Sequence, residues 1–128
     1  MKIIIDKITS EPNHSVSKKD IETVIRHIPS EWLGIKNVFK ISSQLLINSQ
    51  WDRPIIENGI TFIIMSRGFS RDFIIKELLI ELAKWPTGIV HSIRAHHINK
   101  GDRKKLEEFI QPLFEKIIAE LNEKHSSA

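Results

Sequence analysis

From Ser70 to Pro86 the chain reads SRDFIIKELLIELAKWP, a helix whose two ends are written into it and whose two sides are both apolar. Ser70 is suited to cap it, Asp72 complements the positive end of the helix dipole, and Phe69 can staple onto Ile74. Pro86 predicts a stop after Trp85. At about 100° per residue, Ile74, Ile75, Leu78, Leu79, Leu82 and Trp85 share one broad face, suited to dock on a sheet. Phe73 and Ile80 fall on the other side, in one sector with Glu77, Glu81 and Lys84. A helix lying on the surface has no reason to place Phe and Ile there. Such a helix has to be covered twice, by a sheet on one side and by a later element on the other.

The later element is predicted by the stripe Leu106, Phe109, Ile110, Leu113, Phe114, Ile117, Ile118 and Leu121, with Asp102 as its cap. The helical period continues through Pro112, which predicts one kinked helix, with two helices meeting at Gln111 as the alternative. The sheet is predicted upstream. KIIID reads as a short first strand and TSEPNH as a linker. A first helix then carries Ser17 as N-cap, Asp20 in the capping-box place, Val16 stapled to Ile21, and the stripe Ile21, Val24, Ile25 and Ile28. Pro29 ends it, and PSEWLG makes one further turn before Gly34. IKNVFKIS, QLLIN, RPIIE and ITFIIM have strand character, and Asn58-Gly59 between the last two predicts a two-residue hairpin turn. ITFIIM is apolar nearly throughout and reads as an inner strand covered on both faces, while Pro54 pushes its partner to the edge.

These elements amount to an α+β fold, a small mixed sheet with an edge hairpin packed against about three helices. A length of 128 residues suits one domain over 1–128. Residues 1–15 would be an N-terminal strand and linker, and 123–128 a frayed tail. The apolar fraction of 41% and charged fraction of 27% exclude wholesale disorder. With no cysteine, disulfides, thiolate metal sites and cysteine nucleophiles are excluded too. MKIIIDKI breaks its apolar run at Asp6 and Lys7, too early for a signal sequence, and no run approaches membrane-spanning length. A cytoplasmic protein with no membrane partner is expected.

The element order, the length and the run NGITFIIMSRGFSRDFIIKELLIELAKW resemble the small zincin-like metallopeptidase domains, in which an edge hairpin leads through a short loop into the helix bearing HExxH. The resemblance puts Glu81 at the general-base position and Ile80 and Lys84 at the two ligand positions. Zinc there needs two imidazoles one turn apart, holding a water that the Glu deprotonates. Ile has no lone pair and a protonated Lys offers none, so the motif is degenerate, with no catalytic residue, metal or cofactor expected. The resemblance then implies a pseudoenzyme, a non-catalytic domain working by protein or peptide contact. Its groove would lie between the hairpin edge and the helix, lined by Phe73 and Glu77. Lys84 would neutralise Glu81 and Glu77 on a shared face.

Two other classes compete. The net charge of +3 and the run Arg94, Lys100, Arg103, Lys104 and Lys105 suit a nucleic-acid-binding module, although the tryptophans lie elsewhere and a stacking platform is not suggested. A hydrolase of unrecognised type is the other alternative. Ser66, Ser70 and Ser92 lack a GxSxG setting, and phosphate-binding glycine motifs are absent. His91, His96 and His97, with Glu107 or Glu108, are the remaining metal-like set, but their spacing matches no helical ligand pair. His14, His27 and His125 read as isolated and exposed. Oligomeric state is left open.

Overall fold

A computed structural model of the chain describes residues 2–8, 10–33, 38–45, 55–57, 61–89 and 100–126. The elements in order are β1 (Lys2–Ile5), α1 (Lys18–His27), α2 (Ser30–Leu33), β2 (Val38–Leu45), β3 (Ile55–Glu57), β4 (Thr61–Arg67), α3 (Arg71–Thr87) and α4 (Lys100–Ser126). The class is α+β, with a mixed four-stranded sheet in the order β1-β2-β4-β3. β1, β2 and β4 run parallel, and β3 is antiparallel at one edge. Val38–Leu45, the end of IKNVFKIS and the start of QLLIN, is one strand, β2, with a register shift between Ser42 and Leu45, and the rest of both stretches lies outside the described residues. A bulge lets the ladder continue past polar residues where periodicity suggests a break.

Partners in parallel strands share a face, so the register defines the core side of the sheet. Ile3 lies beside Phe39 and Phe39 beside Phe62, while Ile41 lies beside Ile64. Phe39, Phe62, Ile41 and Ile64 are buried, and the Phe39 and Phe62 rings meet at 5.4 Å. On the opposite face Ile4 and Lys40 reach water, whereas Met65 and Arg67 are buried. β4 is therefore inner, as expected, but at Ile63 its second face is only half-covered.

Against the core face lie α1 and α3, which touch β1 and β4 respectively, and α4 packs across both helices. α3 is thus the middle layer. Ile74, Ile75, Leu78, Leu79 and Leu82 are buried, and so is Ile80 on the far side. The double cover that its two apolar sides demand is supplied by β4 and α4; the side chain of Trp85 lies outside the described structure.

The helix ends hold in part. α1 has its capping box, with Ser17 Oγ accepting from the Asp20 N–H and the Asp20 carboxylate accepting from the Ser17 N–H. Ser70 Oγ accepts from the Phe73 N–H. Pro86, however, does not stop α3, which runs to Thr87 before Gly88 turns at φ 69°. Thr87 Oγ1 donates to the Ala83 carbonyl at 2.7 Å in that last turn. Asp102 is not the cap of α4, because that helix begins two residues earlier and leaves Asp102 in its first turn. α4 is one helix through Pro112, and it extends to Ser126 over the expected frayed tail. The hairpin strands pair Glu57 with Thr61. The Asn58-Gly59 turn itself, with Gly34, Trp51 and Pro54, lies outside the described residues.

Candidate functional site

The face of α3 that the sequence singles out is buried beneath α4. Ile80 is 1% exposed, Glu77 4% and Lys84 8%, so the face is closed where a groove would be open. Phe73 is half-buried and stacks on Phe69 at 4.7 Å, a contact made within the turn that enters the helix.

The charges on this face are neutralised in two separate pairs. Lys84 Nζ lies 2.6 Å from Glu81 Oε1, and both side chains are largely withdrawn from water. Glu77 is served from α4 by Arg103, whose Nη1 and Nη2 donate to the two carboxylate oxygens at 3.3 and 2.5 Å. Arg103 Nε also donates to Glu107 Oε1 at 2.9 Å. The hydrogen bond to Glu77, opposed by partial burial and aided by the charges of Glu77 and Glu107, holds the Arg103 guanidinium above its ordinary, already high pKa. The expectation that Lys84 serves both carboxylates is corrected here. Glu81 is one turn from Lys84, whereas Glu77 faces the helix that brings Arg103.

The site offers little to a metal or to a polyanion. Among the described residues no group of three or more His, Asp or Glu side chains is placed to hold an ion. His91, His96, His97, Ser92, Arg94 and His125 lie outside the described residues or carry no described side chain. Of the basic run, Lys100, Lys104 and Lys105 are exposed on the first turns of α4. Arg103 beside them is partly exposed, but its guanidinium is already engaged by Glu77 and Glu107.

A second polar cluster escaped sequence reasoning. It gathers at the carboxyl ends of the three parallel strands, where open α/β sheets place their ligands. His14 is not isolated: Nδ1 lies 2.8 Å from Ser66 Oγ and Nε2 lies 2.8 Å from the Asp6 carbonyl oxygen. A carbonyl only accepts, so Nε2 carries a proton, and in the neutral ring Nδ1 accepts from the Ser66 hydroxyl. A hydroxyl, a base and an orienting acceptor are thereby aligned. Yet Ser66 is fully buried, the Ser15 hydroxyl donates to its carbonyl, and no substrate can reach its oxygen. Beside it the buried Arg67 donates to the carbonyls of Pro12 at 2.7 Å, Ser43 at 2.6 Å and Ser10 at 3.1 Å. These contacts strap the linker over the strand ends. His27, likewise half-buried, sits 3.6 Å from Glu120 of α4. No local signal marks such partners; His14 and Ser66 are 52 positions apart.

A surface depression of about 500 Å³ between α1 and α4 is lined by Lys19, Asp20, Glu22, Thr23 and Arg26. Its charges are of both signs and Arg26 is already paired with Glu120, so no one ligand chemistry is favoured. None of the described helices is long and apolar enough to cross a membrane. Comparison of the chain with protein-family models, with curated proteins and with solved structures finds no match.

Proposed function

We propose that the chain is a catalytically silent zincin-like domain that acts through contact with a protein or peptide. The observation that carries the non-catalytic half is the occupancy of the two ligand positions. Ile80 is 1% exposed and supplies no lone pair, and the Lys84 ammonium is held by Glu81. A carboxylate that accepts from an ammonium is a poor base for a water. The contact half rests on the sheet edge, because the face of Phe73, Glu77 and Ile80 is closed by α4. β3 has a strand on one side only among the described residues, and an extended peptide can add to such an edge through main-chain hydrogen bonds.

The test is to restore the motif. The variant Ile80→His with Lys84→His places two imidazoles one turn apart beside Glu81, and measurable Zn²⁺ affinity is the expected gain, against no stoichiometric zinc in the wild type. A destabilised double variant without metal affinity would remove the zincin-like reading. Zinc-dependent peptide hydrolysis by the wild type, lost in Glu81→Gln, would overturn the non-catalytic one.

A further inference from the structure

The other edge of the sheet is β1, and its sequence is complementary to itself. β1 has β2 on one side and no strand on the other among the described residues. Ile4 and Ile5 are 37% and 38% exposed, two of the three large apolar side chains most open to water among the described residues. The backbone phase of this edge follows from one hydrogen bond. The Asp6 N–H donates to the Ile41 carbonyl at 2.9 Å, so the backbone polar groups of Asp6 point toward β2. By alternation those of Lys2 and Ile4 do the same, and the N–H and C=O groups of Ile3 and Ile5 point outward.

Written against its own reverse, Lys2-Ile3-Ile4-Ile5-Asp6 opposes Lys2 to Asp6, Ile3 to Ile5 and Ile4 to itself. In that antiparallel register the outward-pointing residues Ile3 and Ile5 oppose each other. Each such pair then exchanges both of its backbone hydrogen bonds. Ile4 meets its copy on the dyad as a non-hydrogen-bonded pair, where side chains approach most closely. The two ends bring opposite charges together. Lys2 is exposed, and the Asp6 side chain, 3.9 Å from Lys40, keeps 29% of its surface open to water. Phase, apolar match and charge match therefore agree on one register. A one-residue slip would oppose inward-pointing groups to outward-pointing ones and separate Lys2 from Asp6.

We infer that β1 pairs with β1 of a second copy of this chain about a two-fold axis through Ile4, joining two four-stranded sheets into one continuous sheet. The pairing uses the edge opposite β3 and does not depend on the zincin-like reading. One short strand makes a small interface, so association is concentration-dependent over about 1 µM to 1 mM.

Sedimentation equilibrium of the wild type across that range is the first measurement, with a reversible monomer–dimer equilibrium expected. Ile4→Lys sets two ammonium groups against each other on the axis and should weaken the dimer by about tenfold or more, with an unchanged circular dichroism spectrum. The chain has no cysteine. Ile4→Cys therefore carries a single thiol, and across the dyad the Cα separation of about 4.5 Å suits a disulfide. It should oxidise to a crosslinked dimer faster than Gln111→Cys, an exposed position on α4. A strictly monomeric wild type would overturn the inference, as would a dimer indifferent to Ile4→Lys, which would belong to another surface. If Ile4→Lys failed to fold, crosslinking of Ile4→Cys no faster than the control would overturn it.

Discussion

Arg103→Met tests whether α4 is held on α3 by charge as well as by apolar burial. The Glu77 side chain is 6% exposed, and its carboxylate receives both terminal guanidinium nitrogens of Arg103. Removing one partner of a fully buried ion pair costs about 3–5 kcal/mol, because the remaining charge stays desolvated. Here the Arg103 side chain is 40% exposed, so water screens the pair and enters when the guanidinium is cut away. The expected loss is reduced to about 2 kcal/mol. With a urea slope of about 2 kcal/mol/M, the unfolding midpoint should fall by about 1 M. Glu77→Leu with Arg103→Met removes both charges and fills the site with carbon. The midpoint should then return to within about 0.5 M of wild type, since apolar replacement of a buried pair is often neutral. A midpoint unchanged in Arg103→Met would refute the reasoning, and so would equal losses in the single and double variants. The pH dependence is a further check on sign. The Arg103 pKa is raised, so the stability it contributes is fully present below its unfolded value and is lost only as pH rises through the still higher folded one. The Arg103→Met deficit should therefore show no contribution from arginine titration between pH 6 and 10.

Arg67→Ala should cost about 2–3 kcal/mol in the same denaturation assay, since it leaves the carbonyls of Ser10, Pro12 and Ser43 without their donor, and amide exchange should quicken in residues 10–15. Ser17→Ala removes the acceptor for the Asp20 N–H and should lower stability by about 1 kcal/mol, with Ser17→Thr losing less. For the nucleic-acid alternative, Lys104→Glu with Lys105→Glu should lower any affinity for a duplex and flatten its salt dependence by about two phosphate contacts, whereas no binding at low salt removes that class. In Ile80→His with Lys84→His, thermal melts with and without zinc should separate metal affinity from the cost of a buried polar ring, about 1–3 kcal/mol.

What the chain declares by itself is what a few neighbouring residues can decide. Ser17 with Asp20 and Ser70 with Phe73 act within one turn, so their caps are legible and occur as read. The two apolar sides of α3 predict two layers of cover because burial is a property of periodicity, and β4 and α4 supply them. Tertiary structure decided what depends on segments meeting. Periodicity asks that something cover Phe73 and Ile80, whereas the zincin-like resemblance makes Phe73 and Glu77 the lining of an open groove; the docking of α4, bringing Arg103 to Glu77 across 26 positions, closes that face. His14 has no local pattern and becomes a bridge only because β1 and β4 are carried to the same end of the sheet. The register shift between Ser42 and Leu45 in β2 and the pairing of Glu57 with Thr61 are likewise registers, chosen by partner strands rather than by either strand's own residues.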